Sequence, residues 1–364
     1  MVVMALDHTR DYFHNYMHDP LDVESTTPAI FFTRWITHYC APEFVFLAGT
    51  GAYLYGSRRT RGELSRFLWT RGLWLVFLEI TWVRFAWSFD LDLRHGGFQV
   101  IWALGVSMIV LAALVHLPLW MTTAFGVLMC ATHNLLDRFD AVRPERPSFL
   151  WAVLHSQGRF GSFDGWGLGI RYPLIPWIGV MAAGYGFGAL MLLPREERRR
   201  AVAKLGFALC AAFVIVRAID VYGDEQHWSQ QPSALFTLLS FVNCTKYPPS
   251  LDYLLMTLGP ALLFLAWMDR EPPRLLRPIL TFGRVPMFFY LLHIPLIHAS
   301  SMVIDLVRHG PREMSMFQEP PPDWGFGLAG VYVAWIAILV ALYFPCRWFA
   351  GVKQRRREAW LSYL

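Results

Sequence analysis

Residues 7–18, DHTRDYFHNYMH, hold two aspartates, three histidines and an arginine inside an otherwise apolar opening stretch. At 3.6 residues per turn Asp7, Asp11, His14 and His18 share one helix face, His8 meets Asp11 at i,i+3, and Arg10 lies one turn from His14. A carboxylate that holds one imidazole nitrogen fixes the tautomer and raises the ring's basicity, which leaves the other nitrogen able to take a proton. The spacing therefore suits acid/base work by His8 or His14, oriented by Asp7 or Asp11. His14 and His18 also have the i,i+4 spacing of a zinc pair, but no further ligand motif accompanies them, and no metal is expected.

Further ionisable residues recur along the chain. The stretch TRWITHYCAPEFVFLAG (33–49) stacks Arg34 on His38, with Pro42 just beyond them and Glu43 beside it. Arg71, Glu79 and Arg84 mark successive depths of one apolar block, and HNLLD supplies His133, Asn134 and Asp137. Arg217 and Asp220 have the spacing of a mutually neutralising pair, and NCTKYPPS places Lys246 before another block. FGRVPMFFYLLHIPLIH adds Arg284, His293 and His298.

The elements that must position these groups are membrane helices. Hydrophobic residues make up 55% of the 364, and charged residues only 16%, against roughly 25% in soluble domains. Blocks near the ~20 residues a bilayer span needs occur at 1–17, 29–56, 66–88, 97–115, 118–136, 171–193, 203–221, 248–268, 279–303 and 326–347. An all-α integral membrane protein of about ten transmembrane helices is expected, as one polytopic domain over 1–364. Of 32 Lys and Arg, 17 fall in the segments 57–66, 194–204, 269–278 and 347–357, in runs such as SRRTR and REERRR. The long opposite loops 137–170, 222–247 and 304–325 are poor in them, which puts both termini in the cytoplasm.

This placement assigns the net charge of +5 to membrane topology rather than to nucleic acid. Five cysteines, an odd count without metal-ligand spacing, argue against a disulfide framework. GRFGSFDGWGLG (158–169) lacks the Gly-Lys-Ser/Thr of a phosphate loop and reads as an external loop. An ionisable side chain at bilayer depth costs ~2.5–3.5 kcal/mol on insertion scales, so six such groups within residues 7–18 ask for a function.

Several long blocks resemble a known family in order along the chain: MVVMALDHTRDYF, FFTRWITHYCAPEFVFLAGT, RGLWLVFLEITWVRFAW, HNLLD, YPLIPWIGVMAAGYGFG, KYPPSLDYLLMTLGPALL and GRVPMFFYLLHIPLIH. They are similar to the bacterial membrane proteins related to heparan-α-glucosaminide N-acetyltransferase. The resemblance implies a transmembrane acyltransferase of the bacterial inner membrane, which passes an acyl group, acetyl above all, from cytosolic acyl-CoA to an extracytoplasmic sugar or glycan. It puts His8 where the family carries an asparagine, and His38 where the eukaryotic relatives carry an aspartate. Relative to the family the N-terminus is short.

On this reading His8 or His14, with Asp7 or Asp11, would deprotonate the acceptor or carry the acyl group, and Arg34 and His38 would hold the oxyanion. Arg71 and Arg284 would neutralise the phosphates of acetyl-CoA, with Glu79 and His293 in the donor site. His133, Asn134, Asp137 and Lys246 would meet the acceptor. Expected partners are acyl-CoA, a saccharide, membrane lipid and, in a homodimer, a second copy of the chain. A proton-coupled transporter using the same His/Asp cluster as a relay is the alternative, although no internal repeat supports it. A non-catalytic scaffold is a third reading.

Overall fold

The computed structural model describes residues 1–364 except 17, 93, 143–146, 162–164, 272, 311–323, 357, 359, 360, 362 and 364. Arg143 and Arg146 of the loop 137–170, Arg312 of the loop 304–325, and the middle of GRFGSFDGWGLG lie outside the described residues. The chain is mostly helical and divides into two compact units: Met1–Cys40, Thr81–Leu91 and Pro272–Leu364 form the first, and Ala41–Ile80 with Asp92–Glu271 the second. Among the described residues six helices are long and apolar enough to cross a membrane: Leu119–Phe139, Leu174–Leu192, Arg195–Ile219, Leu251–Met268, Pro286–His309 and Leu328–Arg355. Val100–Leu114 is apolar but shorter.

In the first unit the helix Val2–Phe13 packs against Pro286–His309 and Leu328–Arg355. Its twelve residues rise about 18 Å, well short of the ~30 Å hydrocarbon core, so the block 1–17 is not one continuous helix. The helix stops because the chain turns extended at His14 (φ −86, ψ 139) and bridges Phe326. Phe326 donates its N–H to the Phe13 carbonyl at 2.8 Å and accepts from Asn15 N–H at 3.1 Å. At the other end the Trp335 indole donates to the Val2 carbonyl at 2.9 Å.

Proline sets the irregularities. Pro42 has no N–H to offer the carbonyl of His38, four residues back, and the backbone tightens to a 3-10 turn at Ile36–Tyr39 before Cys40–Gly56 resumes as α-helix. Pro42 thus stands in the first turn of the resumed helix, where a missing N–H costs nothing. Pro295, inside Pro286–His309, leaves the Leu291 carbonyl without its helical donor, and the Trp82 indole N–H takes that place at 2.8 Å.

In the second unit Arg61–Leu78 packs along Val100–Leu114, where Gly72 and Gly105 face each other so closely that a Cβ on either would strike the other's carbonyl oxygen. Small residues at such crossings let helix backbones meet where lipid gives no hydrophobic drive for association. The helix Leu174–Phe187 lies against Leu119–Thr132, and Arg195–Ile219 against Leu251–Met268. The glycine-rich segments also form a small sheet within the otherwise helical chain. His95–Phe98 pairs in parallel and Gly158–Gly161 antiparallel with the central strand Gly167–Ile170.

Candidate functional site

One turn of the first helix gathers a cluster of charged groups in the first unit. Asp7 is buried and accepts from Arg34 Nη1 at both oxygens, at 2.9 and 2.7 Å. Arg34 lies in Pro28–Trp35 and also donates to Thr37 Oγ1 at 3.0 Å. Arg10, itself 8% exposed, donates through Nη2 to Asp7 at 3.1 Å and to Asp11 at 2.7 Å. The other oxygen of Asp11 lies 3.5 Å from His8 Nδ1. Asp11, rather than Asp7, is therefore the carboxylate that faces the His8 ring.

That ring is held between aromatic neighbours. Trp87 meets it edge-on with centroids 5.0 Å apart, and His293 lies against it at 5.3 Å. His293 is fully buried, its Nδ1 stands 2.6 Å from the Tyr290 carbonyl, and its Nε2 has no hydrogen-bond partner among the described residues. A carbonyl oxygen can only accept, so Nδ1 carries the hydrogen and the neutral ring presents a lone pair at Nε2. One turn further along the first helix, Tyr12 donates to the Trp87 carbonyl at 2.9 Å and packs on His298, which stacks on Phe89 at 4.2 Å.

The structure thus brings together Asp7, His8, Asp11, Arg34 and His293. Asp7, His8 and Asp11 each offer a ligand atom within 4.8 Å of the others, the spacing of a cation site. Both carboxylates are matched by guanidinium groups, however, so the trio's charge is already balanced within the protein. His38 is fully buried in the 3-10 turn. His14 is buried beyond the helix end, where its Nδ1 accepts the Tyr16 N–H at 3.2 Å, and the exposed His18 follows outside the helix; the face drawn through Asp7, Asp11, His14 and His18 ends at Asp11. Arg284 is exposed at the end of Arg277–Arg284.

In the second unit His133, Asn134 and Asp137 also cluster, as a brace. His133 has Nε2 2.8 Å from the Pro249 carbonyl and Nδ1 3.0 Å from that of Cys130. Asn134 accepts the Leu251 N–H at 2.9 Å and donates to Asp137 at 2.7 Å, and Asp137 meets His155 Nε2 at 2.9 Å. The three side chains dock the loop 245–251 onto the end of Leu119–Thr132. Lys246 sits in that loop with its amine 5.2 Å from the Tyr247 ring centre. Arg71 is half-buried, over the Phe67 ring at 5.8 Å. The Glu79 carboxylate accepts the Trp102 N–H at 2.9 Å, and so caps Val100–Leu114.

The groups the sequence reading passed over are Trp87, Tyr12 and His155, whose roles depend on distant elements; Arg10, named there beside His14, instead serves Asp7 and Asp11. Residues 1–222 match the family model described as heparan-alpha-glucosaminide N-acetyltransferase, catalytic. The match takes in Asp7, His8, Arg10, Asp11 and Arg34. No curated protein and no solved structure matches the chain.

Proposed function

Because this chain belongs to the heparan-alpha-glucosaminide N-acetyltransferase family, we propose that it is a multi-pass membrane acyltransferase that moves acetyl from acetyl-CoA on the cytosolic side to a sugar amine or hydroxyl on the other. The observation that carries the reading is the His8 ring, set between Trp87 and His293 with Asp11 at Nδ1. Asp11 stands 3.5 Å from Nδ1, on the side where its charge favours a hydrogen, which assigns Nε2 as the nitrogen that takes the acceptor's proton. Asp11 also offsets the positive charge that the ring then carries. Arg284, exposed at the end of Arg277–Arg284, is assigned to the phosphates of the donor. No acceptor contact is assigned to His133, Asn134 or Asp137, because their polar atoms are committed to one another and to the loop they hold.

The test uses purified protein in nanodiscs with labelled acetyl-CoA and methyl α-glucosaminide as acceptor. Saturable donor binding, weakened in Arg284→Ala, and transfer reduced about 10²–10⁴-fold in His8→Ala support the reading. A folded wild-type protein that binds no acyl-CoA sinks it. Substrate flux without thioester consumption would establish the transporter in its place.

A further inference from the structure

The last long helix, Leu328–Arg355, is long and apolar enough to cross a membrane and carries a continuous apolar stripe. Val333, Ile336, Val340, Phe344 and Trp348 follow one another at three- and four-residue intervals, and each is more than half exposed. Arg355, also exposed, lies in the same line two turns beyond Trp348. At 1.5 Å per residue the line from Val333 to Arg355 covers about 33 Å, so with its apolar part in the ~30 Å hydrocarbon core Arg355 stands level with the lipid headgroups. Trp348, just inside it, has the place that an interfacial indole prefers.

At that level the stripe runs into a groove of about 400 Å³, lined by Trp348, Phe349, Val352, Arg355 and Arg356. Phe349 is buried and stacks on Phe288 at 4.3 Å, which fixes the apolar wall against the helix Pro286–His309. The charge beside that wall is unbalanced. Arg355 has no acidic partner among the described residues, and Arg356 meets Glu358 at 3.7 Å with both side chains exposed. In sequence, KQRRRE (353–358) sets Lys353, Arg355, Arg356 and Arg357 against that one acid. Basic residues grouped just beyond a membrane-spanning helix attract anionic headgroups, and a guanidinium matches phosphate oxygens in pairs.

We infer that this groove holds an anionic phospholipid, with one acyl chain along Phe344, Trp348 and Val352 and the phosphate on Arg355 and Arg356. A zwitterionic headgroup brings its own cation and cancels most of the attraction. Coenzyme A also carries phosphates, but its polar adenosine and pantetheine leave the apolar wall and the stripe unmatched. The inference stands apart from the acyltransferase reading, and its test measures binding rather than turnover.

The whole chain, purified in a non-ionic detergent, is titrated with phosphatidylglycerol, and native mass spectrometry counts the lipid retained. Retention is expected to weaken about fivefold in Arg355→Gln and about thirtyfold in Arg355→Gln/Arg356→Gln. Val352→Trp fills the groove with both arginines in place and should also release the lipid. Melting temperatures without lipid should match the wild type, because the altered arginines are exposed at the helix end. Arg58→Gln/Arg59→Gln removes the same charge from another basic run and should retain lipid as the wild type does. Equal losses in the two double variants overturn the proposal, since the effect would then be one of net charge. Phosphatidylcholine held as tightly as phosphatidylglycerol overturns it too, and leaves an unselective boundary lipid. Displacement of the phosphatidylglycerol by an equal concentration of coenzyme A would assign the arginines to the donor instead.

Discussion

Arg34 Nη1 reaches both carboxylate oxygens of Asp7, at 2.9 and 2.7 Å, and thereby ties the first helix to Pro28–Trp35. Arg10 adds a third bond to the same carboxylate at 3.1 Å. Removing Asp7 takes the carboxylate from the largely buried Arg34 guanidinium and leaves Arg10 with Asp11. Breaking a buried pair from one side costs about 3–5 kcal/mol, whereas replacing both partners by apolar residues costs far less. Asp7→Ala is therefore expected to lower the melting temperature in detergent sharply, and Asp7→Leu with Arg34→Met to recover part of it. Equal losses in the single and the double variant would show that the pair's electrostatics are not what matters.

Asp11 has the opposite character, being more exposed and joined to His8 across 3.5 Å. Asp11→Asn keeps the shape and removes the charge that stabilises a protonated His8. Acetyl transfer is expected to drop about ten- to a hundredfold in kcat with the donor's Kd unchanged, since the loss falls on the step in which His8 is charged. A rise in KM alone would assign Asp11 to binding instead.

What local spacing can show and what it cannot is clear in this cluster. The i,i+3 relation of His8 to Asp11 is a property of one helix and was legible from residue order. The Asp7–Arg34 bond and the His8–His293 contact depend on which helices pack together, and no local pattern carries that. The end of the first helix at Phe13 is set by Phe326, near the other end of the chain, so a reading of residues 1–17 ran past it. The strands His95–Phe98, Gly158–Gly161 and Gly167–Ile170 are too glycine-rich for strand propensity to mark them. In the loop after Ile219, Asp224 accepts from Gln226 N–H, from the Thr245 N–H and hydroxyl, and from the Ser250 hydroxyl, a role invisible in a stretch that reads as polar linker.

Asp269, just past the end of Leu251–Met268, supplies a pH prediction through its pair with Arg198. Arg198 donates to Asp269 through Nε at 2.7 Å and Nη2 at 2.8 Å, and this holds the carboxyl below its ordinary range. A carboxylate with a lowered folded pKa stabilises the fold above the unfolded value near 4, and the gain is lost as pH falls through the folded value. The pair is partly exposed, so its contribution is at most about 1 kcal/mol. Asp269→Asn should melt below wild type at pH 7, and the gap should narrow as pH falls below about 4. A gap that stays constant as pH falls would mean that the loss came from packing.

The Trp82 indole bonded to Leu291 gives the sharpest structural test, because its cause is a single missing hydrogen. Pro295 deprives the Leu291 carbonyl of its helical donor, and Trp82 Nε1 supplies one from another helix at 2.8 Å. Trp82→Phe keeps a ring of similar apolar character and leaves that carbonyl bare, at a cost of about 1–3 kcal/mol. Pro295→Ala restores an N–H at the position from which the helix would satisfy Leu291 itself. The double variant Trp82→Phe/Pro295→Ala is thus expected to melt above Trp82→Phe alone. In wild-type background Pro295→Ala instead makes two donors compete for one carbonyl and should bring little gain. If the two substitutions simply add, the indole bond is not compensating for the proline, and Trp82 is held by its ring contacts alone.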